Sequence, residues 1–396
     1  MVEKSDVLIV GAGQAGAYAA IALRHQGFEG SITLIGDEAN FPYERPPLSK
    51  EYFNAEKSFE RLLIRPEAFW AEKSITLRTK ERVVAIDSAQ HFVTTDKDET
   101  LYYNVCIWAA GGQPRHLTCP GANLKGVYGF RTREDADAIL KHLEKVGRVV
   151  VIGGGYIGLE SASALIKKGK KVTLLEVGGR VLARVAGAAI SRYVENKHRE
   201  EGVDLRLGVG IDRLIGGESV EAVRLTSGEE IPCGMVIAGI GILPSVEPLL
   251  TAGAKGGNGV EINAFCQTSL PDIYAVGDCA LHYNQFAGGA AVRLESVQNA
   301  NDQAVAAAKA ICNKATAYEA VPWFWSNQYD IKLQTVGLSI GYDEEVIKGD
   351  PASHSFAVFY LREGRVIAVD CVNSAKGFVQ GRKLVLERAG RAQLSI

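Results

Sequence analysis

Two clusters of spaced glycines each follow an apolar run. Asp6-Val-Leu-Ile-Val10 leads into Gly11-Ala-Gly13-Gln-Ala-Gly16, and Arg148-Val-Val-Val-Ile152 leads into Gly153-Gly-Gly155-Tyr-Ile-Gly158. Both read as a β-type run, then G-x-G-x-x-G, then a helical pattern. The chemistry this supports is phosphate binding. The first glycine permits a tight turn, the second lets backbone approach a pyrophosphate, and the third lets helix and strand pack closely. The amino end of the helix then offers N–H groups and a positive dipole end to the phosphates. One such motif is a weak signal. Two in one chain predict two dinucleotides, the layout of an enzyme passing electrons from a nicotinamide to a flavin.

A carboxylate at the end of the second strand of each unit is expected to hold ribose hydroxyls. In the first unit Asp37 and Glu38 follow Leu34-Ile-Gly36, one residue later than in the second repeat, and Asp37 is the expected ligand. Read blandly, both acids are loop residues. In the second unit Glu176 ends Val172-Thr-Leu-Leu-Glu176. A carboxylate there accepts from a 2′-hydroxyl and repels a 2′-phosphate, so NADH is expected over NADPH. Arg180 and Arg184 lie close enough to soften that preference. Asp278 closes the apolar run 273–276 after Gly277. It reads either as a turn former or as a ligand of a flavin's ribityl chain. Lys50 and Glu160, far apart in sequence, read as surface charges on their types alone.

The missing chemistry also narrows the choice. The seven cysteines stand at 106, 119, 233, 266, 279, 312 and 371, with no C-x-x-C pair. A thiol relay to a disulfide substrate, a single-thiol mechanism in the loop 41–50 and a resident iron–sulfur cluster are therefore not expected. No metal site is expected, and neither H-E-x-x-H nor G-x-S-x-G occurs. The hard chemistry then belongs to the cofactors, and the protein positions them. Unpaired cysteines suit a reducing cytoplasm. The net charge of −2 suggests neither nucleic acid nor an anionic membrane as partner.

Elements of the right kind surround these residues. The stretch 7–23 is apolar enough to resemble a membrane span, but its spaced glycines and Gln14 indicate a buried βα unit, and the first residues lack the basic region of a secretion signal. Three prolines in the loop 41–50 forbid a regular helix there. Strand-like pieces follow at 74–77, 83–86 and 91–94, and apolar strands running into a glycine turn at 105–112, 235–241 and 273–278. The second βαβ unit lies between runs that lead back to the first, which predicts one domain inserted into another. After about residue 320 a hairpin, 356–361 with 365–370 and Glu363-Gly364 as its turn, suggests a separate α+β domain. The expected division is 1–113 with 245–320, then 114–244, then 321–396.

Longer motifs carry a resemblance over the whole chain. Pro42-Tyr-Glu-Arg-Pro-Pro-Leu-Ser-Lys50, Gly153-Gly-Gly-Tyr-Ile-Gly-Leu-Glu160, Ile273-Tyr-Ala-Val-Gly-Asp278, Arg293-Leu-Glu-Ser-Val-Gln-Asn-Ala300 and Val321-Pro-Trp-Phe-Trp-Ser-Asn-Gln-Tyr-Asp330 resemble the oxygenase-coupled NADH:ferredoxin reductases, the family of putidaredoxin reductase and biphenyl-dioxygenase ferredoxin reductase. The resemblance implies an α/β, glutathione-reductase-like flavoprotein that binds two dinucleotides and carries a C-terminal α+β domain. It implies an FAD enzyme that takes a hydride from NADH and gives single electrons to a small acidic [2Fe–2S] ferredoxin. That ferredoxin would feed a Rieske-type aromatic-ring dioxygenase or a cytochrome P450. Ala15, Asp37, Lys50, Val83, Arg131, Asp278 and Val297 would contact FAD, with Arg45 and Arg115 near the flavin or its pyrophosphate. Lys50 and Glu160 would pair beside the isoalloxazine. Tyr156, Ile157, Glu160, Glu176 and Arg184 would line the NADH path, and Trp325 would wall the flavin toward the ferredoxin. Arg61, Arg65, Arg293 and Lys332 would meet that partner. Where such reductases commonly have Ala-Thr-Gly, this chain has Ala109-Ala110-Gly111-Gly112. Rubredoxin reductases and apoptosis-inducing factor resemble the chain more distantly, and an NADH oxidase is a further alternative. Monomer and homodimer both remain open.

Overall fold

Each apolar run that precedes a glycine motif is a strand with a parallel neighbour on both sides. The computed structural model describes residues 4–395, and in it Lys4–Val10 lies between Ile32–Ile35 and Thr100–Trp108, parallel to both. Ile75–Arg78 extends the sheet on one side, Ile273–Ala275 joins Thr100–Trp108, and the antiparallel pair Phe92–Thr95 and Val83–Asp87 closes the other side. The strands expected at 74–77, 83–86 and 91–94 are present with ends shifted by a residue. Val7, Leu8 and Ile9 are fully buried, as runs covered on both faces must be. The stretch 7–23 is this strand plus the helix Gln14–His25, whose alanines let it lie close to the sheet. Among the described residues no helix is long and apolar enough to cross a membrane.

The second sheet repeats the plan. Arg148–Ile152 lies between Lys171–Glu176 and Met235–Ala238, with Asp204–Leu207 and Val127–Gly129 at the edges, all parallel. The helix Tyr156–Lys167 follows its glycine turn. The C-terminal part is a five-stranded antiparallel sheet ordered Trp323–Gln328, Ile331–Gly337, Arg365–Val372, Ser355–Arg362, Glu344–Asp350, followed by the helix Ala375–Leu386. Glu363 and Gly364 form the hairpin turn with φ of +53° and +69°. Both left-handed values match the two-residue turn whose twist suits paired strands.

The chain divides into two units. The first comprises Met1–Glu44, Phe59–Gln113 and Leu243–Pro322; the second comprises Arg45–Ser58, Pro114–Ile242 and Trp323–Ile396. The segment Arg45–Ser58, assigned on sequence to the first domain, groups with the second unit. Its Phe53 is buried against Phe130, with ring centroids 5.7 Å apart.

Candidate active site

In the first unit a cradle forms where Lys4–Val10 ends. Gly11 has φ +108°, and a Cβ there would stand 2.3 Å from the Ala109 carbonyl oxygen. A Cβ on Gly16 would stand 1.9 Å from the Gly11 carbonyl oxygen. Both positions therefore require glycine. Gly13 caps the helix, and its carbonyl accepts the first helical bond from the Ala17 amide at 3.0 Å. No acidic residue in the first turn offsets the positive helix end. Ala15 packs on the next turn: a Cβ on Gly277, whose φ is +81°, would lie 2.9 Å from the Ala15 methyl. That packing brings Asp278 to the helix start. The Gly277 amide donates to Gln303 Oε1 at 2.8 Å, and Arg293 Nη1 donates to the Asp278 carbonyl at 2.8 Å. Val297 opens the helix Val297–Ile311, whose cap Ser296 accepts from the Asn299 amide.

The strand register explains the late carboxylate. Ile35 pairs with Val10 as Leu175 pairs with Ile152, so Gly36 holds the position of Glu176. A Cβ at Gly36 would press to 2.6 Å from the Ala12 methyl. The acid is displaced to Asp37, which accepts from Arg82 Nη2 at 2.8 Å, while Glu38 accepts from the Tyr43 hydroxyl. Backbone bonds from Glu81 N to Gly36 O and Lys80 N to Glu38 O carry the chain to Val83 beside this turn. Two buried polar atoms near the cradle, Gln14 Oε1 and Arg293 Nε, make no hydrogen bond within the protein. Unsatisfied helix-end amides, two such atoms and an edge carboxylate fit a ligand bearing phosphates and hydroxyls, as FAD does.

The second cradle, in the second unit, matches the first. Gly153 has φ +106° with its missing Cβ 2.5 Å from the Gly239 carbonyl oxygen, and a Cβ on Gly158 would lie 1.9 Å from Gly153 O. Gly155 is different. Its φ is −81°, and a Cβ there would meet no protein atom within 4 Å. Protein packing does not demand this glycine, and the open space beside it fits the close approach of a pyrophosphate. Glu176 Oε2 accepts from the Gly154 amide and Oε1 from the Gly178 amide, both at 2.6 Å. The carboxylate is thus held at the cradle with lone pairs left for ribose hydroxyls. Arg180 is committed to the Ala183 and Ala186 carbonyls and to Ser191 Oγ, so it does not serve as a phosphate clamp. Arg184 and Arg115 both reach Gly241, where a Cβ would lie 3.7 Å from Arg184 Nη2 and 4.0 Å from Arg115 Cδ. Ile157 is exposed. Tyr156 tilts on Phe324 at 4.5 Å, and burial pushes its hydroxyl above the ordinary phenol range.

Lys50 and Glu160 meet within this same unit. Pro46–Ser49 forms a single tight helical turn, with prolines where their missing N–H does no harm, and Lys50 leaves it. Lys50 Nζ lies 2.9 Å from Glu160 Oε1, and the carboxylate is only 3% exposed. Ser49 Oγ donates to Glu160 Oε2 at 2.9 Å, and Ser326 Oγ donates to Oε1 at 2.6 Å. A buried ion pair is tolerable when extra donors fill the carboxylate's lone pairs, and here two hydroxyls do so. Arg45 Nη1 donates to the Arg131 carbonyl at 3.1 Å. Trp325 tilts on Trp323 with centroids 5.4 Å apart.

The pyridine nucleotide-disulphide oxidoreductase family matches residues 5–304, and the reductase C-terminal family matches residues 323–394. The chain belongs to the pyridine nucleotide-disulphide oxidoreductases. This oxidoreductase is 54% identical to the 5,5'-dehydrodivanillate O-demethylase ferredoxin reductase subunit of Sphingobium sp., over 96% of its own length and 93% of the relative's. It is 42% identical to putidaredoxin reductase of Pseudomonas putida, over 97% of its own length and 92% of the relative's. Among solved structures, the ferredoxin reductase for the CYP199A2 system from Rhodopseudomonas palustris superimposes with a TM-score of 0.95 at 38% identity, covering 100% of this chain and 97% of that one. The reductase in the covalent putidaredoxin reductase–putidaredoxin complex superimposes with a TM-score of 0.93 at 41% identity, covering 98% and 93%.

In this oxidoreductase the disulphide of the family name has no counterpart, because all seven cysteines are free. Burial pushes the Cys266 and Cys279 thiols up to about 12, so neither supplies a thiolate at neutral pH. Arg293 is not the surface charge that a partner-facing role requires. Its side chain is 8% exposed and bound to Asp278 and Glu295. Trp108 is core, buried with its indole N–H on the Ser245 carbonyl at 2.7 Å. The turn after it, where Thr is replaced by Ala110, is held by the Ser245 amide donating to Gly111 O at 2.9 Å. Sequence reasoning missed Ser49 and Ser326 as partners of Glu160. Ser49 adjoins Lys50 and was within reach of the motif; Ser326 carries no sequence signal of its own.

Proposed function

We propose that the protein is an FAD-dependent NADH:ferredoxin reductase that feeds electrons through a [2Fe–2S] ferredoxin to a Rieske-type dioxygenase or a cytochrome P450. Balanced, the reaction takes NADH and two oxidised ferredoxins to NAD⁺, a proton and two reduced ferredoxins. The carrying observation is the buried Lys50–Glu160 pair in a chain that has two dinucleotide cradles and no paired thiols. A flavin accepts a hydride and releases electrons singly, chemistry that no side chain supplies. The residues do the rest. Gly11, Gly13, Gly16 and the Gln14 helix hold the FAD pyrophosphate, Asp37 and Asp278 its hydroxyls, and Ala15, Val83, Arg131 and Val297 its flanks. Gly153, Gly155 and Gly158 hold NADH, Glu176 selects against a 2′-phosphate, and Tyr156, Ile157, Arg115 and Arg184 line its path. Lys50 places an ammonium beside the isoalloxazine, where positive charge favours the anionic reduced ring, and Glu160 fixes it there. Trp325 covers the ring on the side of the iron partner. Rubredoxin reductase is not favoured as an alternative: rubredoxin–NAD(+) reductases match at 37% identity, below the ferredoxin reductases at 54% and 42%.

The test is anaerobic NADH bleaching of the purified yellow protein, then cytochrome c reduction with and without a [2Fe–2S] ferredoxin. Lys50→Ala is expected to slow bleaching at least about tenfold, the size of one lost charge interaction, or to release FAD. Unchanged flavin occupancy and rate in that variant would remove Lys50 from the site.

A further inference from the structure

The hydrogen bonds at Glu160 continue inward through a line of side chains to which no role has been assigned. Ser326 Oγ, which donates to Glu160 Oε1 at 2.6 Å, lies 3.1 Å from Gln328 Nε2. Gln328 Oε1 lies 2.9 Å from His198 Nε2, and His198 Nδ1 lies 3.1 Å from the Tyr329 hydroxyl. Ser326 and His198 are fully buried, and Gln328 is 2% exposed. All these residues belong to the second unit.

The elements explain the line. Ser326 and Gln328 stand two apart on the strand Trp323–Gln328, so they share its buried face, while Trp323 and Trp325 alternate with them. His198 sits on the buried stripe of the helix Ala188–Glu200 with Ile190 and Val194. Tyr329 follows the strand with φ +52°, and its amide donates to Ser163 Oγ at 2.8 Å. Tyr329 and Asp330 form the two-residue turn into Ile331–Gly337, and the Tyr329 ring lies against His198 with centroids 5.0 Å apart.

The proton positions follow from the carboxylate. Glu160, paired with Lys50, only accepts. Ser326 must spend its single proton on Glu160, so it accepts from the Gln328 amide nitrogen. The Gln328 carbonyl then faces His198, which must carry its proton on Nε2. A neutral imidazole leaves Nδ1 bare, and Tyr329 donates to it. Burial lowers the His198 pKa to about 4, which keeps the ring neutral. Every donor in the line points toward Glu160. The line does not pass protons, because the primary amide of Gln328 separates the hydroxyl from the imidazole.

We infer that Tyr329, His198, Gln328 and Ser326 form a one-way donor array that positions Glu160 and offsets its charge, so that the Lys50 ammonium keeps its field and place. This deepens the reductase reading and rests on it. The array residues touch no reacting atom; they are positioning residues that act through Glu160.

Two sets of measurements decide the matter. Ser326→Ala and Gln328→Leu are expected to keep full FAD content and an unchanged KM for NADH. Ser326→Ala should slow anaerobic flavin reduction about tenfold, the equivalent of one hydrogen bond to a charged group, and Gln328→Leu about threefold, the equivalent of one between neutral groups. Each should also make the flavin midpoint potential more negative, because Glu160 is then less offset; Ser326→Thr, which restores the hydroxyl, should bring both back. Unchanged rate and potential in the two loaded variants would overturn the inference. Should either variant fail to fold, histidine nitrogen NMR of the unaltered protein decides. The signal lost in His198→Gln should show the Nε2–H tautomer, neutral from pH 5 to 8. An Nδ1–H tautomer, or titration within that range, would overturn it. Failure of the reductase reading looks different: Lys50→Met would then leave flavin reduction fast, whereas failure of the array alone leaves Lys50→Met slow and Ser326→Ala fast.

Discussion

Single residues separate what the fold needs from what the ligand needs. Gly153 and Gly155 belong to one motif and answer to different masters. Alanine at 153 meets a positive φ and a backbone oxygen 2.5 Å away, and is expected to destabilise the protein by at least about 2 kcal/mol in chemical denaturation. Alanine at 155 meets open space at φ −81°. Gly155→Ala should therefore melt like the unaltered protein while its KM for NADH rises about tenfold, one tenfold step being about 1.4 kcal/mol of lost contact. Equal stability losses in the two variants would contradict this separation. Asp370 makes a second residue-scale case. It is fully buried, accepts from Tyr360 at 2.6 Å and Thr335 at 2.5 Å, and burial raises its pKa to about 6. The folded state then binds this proton more tightly than the unfolded chain does. Its contribution to stability is complete below about pH 4 and is lost as pH rises to 6, by up to about 3 kcal/mol. Asp370→Asn keeps the shape without the titration, so its melting temperature should gain on the unaltered protein between pH 4.5 and 7.5. A constant difference across that range would contradict the assignment.

At the scale of elements, helix starts do the positioning. Ser296 caps the helix Val297–Ile311, whose amino end stands at the Arg293 and Asp278 turn. Ser296→Ala leaves the Asn299 amide without its side-chain acceptor and is expected to cost about 1 kcal/mol, a fall of about 2–3 °C in melting temperature. It should also speed FAD loss on dilution, which a stability effect remote from the site would not do. The repeat shows how one plan is adjusted locally. Gly36 makes room for the Ala12 methyl, whereas Gly154 makes room for Glu176, whose Oε2 would lie 2.9 Å from a Cβ there. A one-residue exchange of small and large side chains thus shifts the carboxylate from the strand end to the following position. The strands and both glycine turns were legible because their periodicity and φ requirements are local. The Pro-rich turn was legible as irregular, but its grouping with the second unit was not, since Phe53 on Phe130 is a contact without a local signature.

At the scale of the whole molecule, the chain passes between its two units at 44/45, 58/59, 113/114, 242/243 and 322/323. Lys50, Glu160 and Ser326 come from three separate segments of the second unit, so no contiguous fragment carries that group. The net charge of −2 gives no long-range attraction to an acidic partner; local cations must supply it. Arg61 and Lys332 are exposed, whereas Arg293 is not. Ferredoxin reduction is therefore expected to slow as salt rises from 50 to 500 mM, while anaerobic flavin reduction by NADH stays constant, since screening acts on exposed charges. Charge-reversed Arg61→Glu should reduce kcat/KM for ferredoxin about threefold or more, a change of about 0.7 kcal/mol, with no change toward ferricyanide.

By itself the sequence determined the two strand–glycine turn–helix units, the hairpin turn and the absence of a C-x-x-C pair. Each follows from backbone permissiveness, side-chain periodicity or simple composition over a few neighbouring residues. Only the tertiary structure decided that Glu160 is buried among Lys50, Ser49 and Ser326, that Arg180 is spent on carbonyls, and that His198 stands behind the carboxylate. Those facts depend on which faces of distant strands and helices meet, and burial fixes charge, tautomer and hydrogen-bond direction only after that meeting.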